Sequence, residues 1–346
     1  MRRIIICCDG TWKTPDDHEH GQSCATNVAR IFQLIAPADL NGVPQISYYH
    51  DGVGTGDFGD KILGGAFGMG LSKNIEDAYR FLASNYIEGD EIWLFGFSRG
   101  AYTVRSIIGL IRNSGLLKKQ HLEKFSLAYQ IYRDRSKETA PDEQVAGQFK
   151  SQFSYTPDIH FLGVWDTVGS LGVPDHIVSR FLSGMWNFHD VSLSSTVRYA
   201  YHALAIDEHR ADFKPCAWDG PDTEDRQQVW FAGTHSDVGG GLPDAGLSDC
   251  ALAWMMCKAE LRGLKLDRAN VTLEPDQLAD VHESKTGLFL LRPDYYRPIE
   301  PNMLSKAALL KWKPNVYEPK NWPEQALHMP CSQNCPREAL ERCWLQ

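Results

Sequence analysis

Glu91-Ile92-Trp93-Leu94-Phe95-Gly96-Phe97-Ser98-Arg99-Gly100 is an apolar run that turns, through a glycine-flanked serine, into a segment of helical periodicity. Ile92 to Phe95 supply the β-branched and aromatic side chains of a buried strand. From Ala101 to Arg112 (AYTVRSIIGLIR), Val104, Ile107, Ile108 and Ile111 fall on one helical face. Gly96 and Gly100 stand two positions either side of Ser98, where absent side chains let strand and helix approach closely enough to force a sharp elbow. Such an elbow lifts the serine hydroxyl out of the sheet and points the helix N-terminus at any anion formed there. Ser98 is thereby a candidate nucleophile. The bare Gly-x-Ser-x-Gly pattern arises by chance in roughly one chain in ten of this length, so the discriminating evidence is the strand before it and the helix after it.

Outward from the elbow, strand-like and helical runs alternate. Arg3 to Cys8, Gln45 to Tyr49, Glu91 to Phe95, His160 to Trp165 and Val229 to Ala232 read as strands. Asn27 to Ile35, Ser72 to Tyr86, Lys118 to Arg135 and Leu247 to Leu261 read as helices. The alternation predicts an α/β fold, a mostly parallel sheet with helices on both faces. Each strand ends in a polar or glycine-bearing segment: Asp9-Gly10-Thr11, His50-Asp51-Gly52, Ser98, Asp166-Thr167 and Gly233-Thr234-His235-Ser236-Asp237. In such sheets the carboxyl ends of the strands line the functional crevice, so these segments are expected to converge on one edge.

A chain of 346 residues can bury a large core, and its 43% hydrophobic and 23% charged residues are those of an ordinary globular protein. The net charge of −9, with no basic run, argues against a nucleic-acid partner. Met1-Arg2-Arg3 starts positively, but the apolar run after it is too short for a signal peptide and ends at Asp9. No apolar stretch approaches the ~20 residues of a membrane span. Nine cysteines, an odd count with Cys7 and Cys8 adjacent in a core strand, read as reduced thiols. Together these place the chain in the cytoplasm as synthesised, with any export independent of a signal peptide.

A serine hydroxyl needs a base to take its proton, and the imidazole that does so needs a third group to orient it. His235 follows the strand Val229 to Ala232 and is bounded by Gly233 and Gly239-Gly240-Gly241. Asp166 ends the strand before it, which gives the chain order Ser98, Asp166, His235 used by α/β-hydrolases. Asp237 and His282 are the alternative acid and base. The oxyanion of a tetrahedral intermediate needs preorganised N–H donors. The amide of Arg99 is one candidate, and Gly10 or Thr11 in the first loop is the other.

Asp9-Gly10-Thr11-Trp12, Thr26-Asn27-Val28, Tyr49 to Thr55, Gly96 to Tyr102, Val164 to Gly169, Ala205 to Glu208 and His235 to Gly241 together resemble the motif series of the DUF2235 family. That family includes catalytic domains of Tle1-like type VI secretion lipase effectors, and the match runs in order over roughly residues 1 to 300. The resemblance implies an α/β-hydrolase with Ser98, Asp166 and His235 as its triad, and phospholipase A activity in effector members. It also implies a lipid or small-molecule ester substrate, peripheral membrane contact, no cofactor, and a secretion or immunity partner where the role is that of an effector. Residues 1–292 are expected to form the catalytic domain, with lid-like insertions near 52–70 and 171–196. Phe97, Trp165, Gly54, Phe181 and Trp186 are expected to line the substrate pocket. From residue 293 to 346 the chain turns Pro- and Trp-rich and reads as an irregular extension packed on that domain.

Three rival readings stay open. Gly54-x-Gly56-x-x-Gly59 formally matches a dinucleotide fingerprint, so the Gly52 to Gly70 segment could bind a nucleotide. Asp9, His50, Asp51, His235 and Asp237 could gather a metal for hydrolysis, although no diagnostic ligand spacing is present. The third reading is a non-catalytic binding module on a hydrolase shell.

Overall fold

Runs of β-branched and aromatic residues form the centre of the molecule. The computed structural model describes residues 1–10, 18–19, 22–52, 64–134, 136–168 and 193–328. Six strands make one sheet: β1 (Arg3–Cys8), β2 (Gln45–His50), β3 (Glu91–Phe97), β4 (Ile159–Trp165), β5 (Val197–Ala205) and β6 (Arg226–Phe231). They lie in the order β2-β1-β3-β4-β5-β6, and each neighbouring pair is parallel. The expected α/β-hydrolase-like sheet is therefore present. Strand order reverses between β1 and β3, the place where an open parallel sheet leaves a crevice at its carboxyl edge. Register brings Cys8 beside Gly96 and Phe97 beside Trp165, so the polar segments that follow these strands meet at that edge.

Period-two alternation sorts the side chains of β1 between two layers. Ile4, Ile6 and Cys8 pack with α2 (Gly64–Asn85), α3 (Arg99–Ser114), α4 (Phe125–Arg133) and α5 (Gln144–Phe153). Ile5 and Cys7 face the opposite layer, made by α1 (Asn27–Leu34) and by a long helix, Gly246–Leu261. Because both faces are covered, strands such as Arg3–Cys8 are buried along their whole length. A third apolar cluster seats Leu304, Ala308 and Ala326 against Leu204, Ile206 and Trp230, which fastens the C-terminal segment to the β6 side of the sheet.

Several elements differ from their sequence reading. The helix expected over Lys118 to Arg135 is divided into a 3-10 segment, Lys119–Lys124, and α4, because His121 has non-helical φ −118° and ψ 17°. Helix α2 begins at Gly64 rather than Ser72 and takes in part of the glycine-rich stretch. Strand β5 (VRYAYHALA) was not anticipated, since alanine and a charged or polar residue interrupt its aromatic alternation. Cys7, Cys8, Cys24, Cys216 and Cys250 are free thiols, whereas Cys257 is disulfide-bonded, so the reading of uniformly reduced cysteines does not hold. Residues 53–63 and 169–192, which hold most of both expected insertions, lie outside the described residues. So does the dinucleotide-like Gly54 to Gly59. Among the described residues no helix is long and apolar enough to cross a membrane.

The elbow is built by backbone contact. A Cβ on Gly100 would stand 2.0 Å from the carbonyl oxygen of Cys8, and one on Gly96 would stand 2.7 Å from the Ala101 backbone. Helix α3 thus rests directly on the ends of β1 and β3. Gly100→Ala has no flexible side chain to push aside, and the expected result is a loss of about 2 kcal/mol or more of stability, read as a lower midpoint in urea unfolding. An unchanged midpoint would mean that this contact is not tight.

Candidate active site

Ser98 joins β3 to α3 with φ 57° and ψ −118°, a left-handed conformation rarely adopted by a non-glycine residue. Two hydrogen bonds hold it there: its N–H donates to the Trp165 carbonyl at 3.1 Å, and its own carbonyl accepts from Tyr102 at 3.2 Å. The hydroxyl faces His235, with Oγ 2.8 Å from Nε2. His235 opens a short helix, α6 (His235–Gly239), directly after β6, while the long helix Gly246–Leu261 follows as α7. Its Nδ1 lies 2.5 Å from Oδ2 of Asp166, which ends β4 with φ 33°. A carboxylate at Nδ1 places the ring proton there and leaves Nε2 to accept from the serine hydroxyl. Ser98, Asp166 and His235 are therefore brought into one hydrogen-bonded line.

This line is dry. Ser98 is 5% exposed, His235 6% and Asp166 0%. Burial lowers the proton affinity of His235 below the ordinary histidine value, an effect only partly offset by Asp166, which favours an uncharged imidazole. Burial pushes the Asp166 carboxyl up, but the charge of Arg297 and the bond to His235 outweigh it and hold Asp166 well below the usual carboxylate range. Arg297 bridges both carboxylate oxygens, at 2.6 Å and 3.1 Å. The His235 ring is also fixed from its sides, by Phe97 at 4.6 Å and the edge-on Phe213 at 5.0 Å between centroids. Behind it, buried Glu208 accepts from the His235 N–H at 3.4 Å and is paired with Arg210.

The remaining site expectations divide. The amide of Arg99 opens α3 immediately after the serine, as an oxyanion donor would. The N–H of Gly10 donates to Asp9 Oδ1 at 2.6 Å. Thr11, its partner in that reading, lies outside the described residues, as do Gly54, Phe181 and Trp186. Trp165 is fully buried beside Phe95, and Phe97 is pressed against Gly239 and the His235 ring.

Asp237 and His282 are brought to each other, 2.6 Å apart, rather than to Ser98. Asp237 also accepts from the Thr234 amide at 2.9 Å, which ties the turn that carries His235. Asp207 accepts from Gly233 and Tyr317, and Glu208 is ion-paired with Arg210. The residues of the metal reading point to separate partners: Asp9 to Thr26 and Tyr49, His50 to Asp77, Asp237 to His282. Arg297 escaped the sequence reading altogether. It lies 131 positions from Asp166, in a Pro-flanked segment without periodicity, and no local pattern marks it.

With this geometry in place, comparison with known proteins adds lineage. A family model described as type VI secretion (T6SS) phospholipase effector Tle1-like, catalytic domain, matches residues 2–258. The chain is 32% identical over 234 residues to uncharacterized protein YEL023C of Saccharomyces cerevisiae, covering 62% of this chain and 32% of that one. It thus spans about a third of the length of this curated relative. Among solved structures it is similar to an uncharacterized protein from Pseudomonas aeruginosa, with TM-score 0.46, 20% identity, and coverage of 77% of this chain and 46% of the other. It is also similar to a Tle1 effector bound to the VgrG spike of the type 6 secretion system, with TM-score 0.40, 18% identity, and coverage of 69% and 51%.

Burial of neutral histidines near the site sets a pH dependence. His202, fully buried, accepts the Thr167 N–H at Nε2 and is held down to about 3, by burial first and then by Arg105. The unfolded chain takes up protons near pH 6.5 that folded His202 and His235 resist, so stability falls as pH drops below about 6.5. For His202 the loss continues down to about 3. Thermal midpoints measured from pH 7.5 to 4.5 should decline, and His202→Gln, which keeps an acceptor for Thr167 without titrating, should flatten the slope. An equal slope in that variant would remove His202 from the explanation.

Proposed function

Because the chain belongs to the family of Tle1-like phospholipase effector catalytic domains, we propose that it is a serine hydrolase acting on carboxyl esters of lipids. The observation that carries this reading is the buried line from Ser98 Oγ through the His235 ring to Asp166, at 2.8 Å and 2.5 Å. In this reading Ser98 Oγ attacks the ester carbonyl while its proton passes to His235 Nε2. Asp166 holds the imidazolium that results, and the Arg99 amide donates to the oxyanion as it forms. Collapse breaks the acyl–oxygen bond, and the leaving alcohol departs with the proton from His235. Water, deprotonated in turn by His235, then attacks the acyl-serine; the acid leaves and the hydroxyl of Ser98 is restored. No cofactor takes part.

Phospholipase A-type cleavage is the substrate reading that follows from the family. It carries with it contact with a membrane surface and, where the protein serves as an effector, a secretion partner and an immunity partner. A dry site with an uncharged base suits an uncharged ester carbonyl, and a lipid acyl ester supplies one.

Fluorophosphonate labelling followed by peptide mapping tests the chemistry. The expected result is one adduct on Ser98, lost in Ser98→Ala and reduced on the order of 10³-fold or more in His235→Gln. A folded chain that labels at no serine would leave a binding module on a hydrolase shell. The substrate class is tested separately by comparing p-nitrophenyl butyrate with vesicles of phosphatidylethanolamine and phosphatidylglycerol. Release of fatty acid from the vesicles is expected, and its absence with the short ester turned over would remove the lipid assignment.

A further inference from the structure

Asp166 occupies a place where burial alone would neutralise a carboxyl group. It has no exposure, and its backbone support among the described residues is a single N–H, from Ala205 at 3.0 Å. Arg297 supplies what is missing. Its Nη1 donates to Oδ1 at 2.6 Å and its Nη2 to Oδ2 at 3.1 Å, a two-pronged pairing in which both partners are completely buried. The second hydrogens of the same nitrogens go to the carbonyls of Ala205, at 2.8 Å, and Phe213, at 2.6 Å. Nε has no hydrogen-bond partner among the described residues. The guanidinium is therefore gripped by the end of β5 and by the turn whose Phe213 ring abuts His235.

Building on the serine-hydrolase reading of this site, we infer that Arg297 is a positioning residue of the triad, which keeps Asp166 ionised and oriented and thereby sets the basicity of His235. Charge counting gives the reason. With Asp166 negative, Arg297 positive and His235 neutral, the resting site has no net charge. Proton transfer to His235 adds one positive charge as the oxyanion adds one negative, so the reacting site is again neutral. Without Arg297 the resting site would hold an uncompensated buried carboxylate, and the pair formed by Asp166 and His235 would bind a proton more tightly. His235 would then be protonated, and useless as a base, at a higher pH.

Among the described residues no other group around the pair can substitute. Glu208 faces His235 with charge of the same sign as Asp166 and is bound to Arg210. Arg105 donates to the Cys216 carbonyl, and the Cys216 thiol is uncharged because burial raises its proton affinity. His202 is neutral and accepts from Thr167. Arg297 also lies beyond residues 2–258, the stretch that matches the family model, so the site draws a necessary part from outside that match.

The test uses the full chain and the rate of fluorophosphonate labelling at Ser98 as a function of pH. Arg297→Met should move the acid limb of the profile upward by about one to three units, which costs at least about tenfold in rate at a pH below the shifted limb. Arg297→Lys, which keeps the charge but not the fork, should lose rate while its limb stays within about half a unit of wild type. If Arg297→Met merely lowers the plateau or the unfolding midpoint and leaves the limb in place, the inference is overturned. Should that variant fail to fold, Arg297→Met combined with Asp166→Asn removes both buried charges. It is expected to label at the rate of Asp166→Asn alone, and a further large loss in the double variant would show that Arg297 does not act through Asp166. Wild-type protein that fails to label overturns the hydrolase reading itself. Labelling by wild type with an unmoved limb in Arg297→Met overturns this inference alone.

Discussion

The contact between Gly100 and the carbonyl oxygen of Cys8 is the constraint on which the site depends. A methyl group at Gly100 would lie 2.0 Å from that oxygen, so helix α3 can approach the end of β1 only with hydrogen there. That approach forces the chain to reverse within one residue after β3, and Ser98 takes the strain as φ 57°. Two features follow from one packing event: the hydroxyl is raised toward His235, and α3 begins at the very next residue, Arg99. The cost of one strained residue, of order 1–3 kcal/mol, is offset by a core in which β1 and β3 are buried on both faces.

Burial then creates the second problem of the site, which is charge. A sheet covered on both sides leaves no water for a carboxylate at the end of β4, yet orienting and stabilising a histidine requires one. Breaking a buried ion pair by removing one partner costs about 3–5 kcal/mol, so Asp166 and Arg297 are tied to each other's presence. The fastening of the C-terminal segment by Leu304, Ala308 and Ala326 acquires a second meaning in this light. It stabilises the β6 side of the sheet, and it holds the chain that delivers Arg297 to Asp166.

What could be read from the sequence follows the range of the interactions concerned. The elbow was legible because its causes are local: two glycines, a β-branched strand and a helical face within about twenty residues. Asp166 and His235 were legible because each lies in the segment that follows a strand, and parallel strands bring their ends to a common edge whatever lies between them. Strand β5 was not, since its alternation of tyrosine with alanine, arginine and histidine carries little β signature until neighbours on both sides bury it. Arg297 was invisible for a stronger reason. Its role is fixed by a three-dimensional fork onto a carboxylate 131 positions away, and a lone arginine in a Pro-rich stretch has no periodicity to announce it. Gly10 shows the converse limit: the direction of its N–H, which donates to Asp9, could not be read from residue order.

The motif residues outside the line of Ser98, His235 and Asp166 act as braces for it. Asp9 accepts from Thr26 and Tyr49, each at 2.5 Å, which pins the loop after β1 to helix α1 and to β2. Asn27 donates to the carbonyls of Val238 and Ser248, each at 3.0 Å, and so ties α1 to the segment carrying His235 and to the helix behind it. Gly240, with φ 81°, lies where a side chain would strike the Asn27 backbone. The loops that end β1 and β6 are thereby locked to the same N-terminal end of α1, at Thr26 and Asn27. Since His235 must stay within hydrogen-bond reach of a serine whose position is dictated by the elbow, the bracing of these two loops to a shared element is what converts a crowded strand-to-helix turn into a site of fixed geometry.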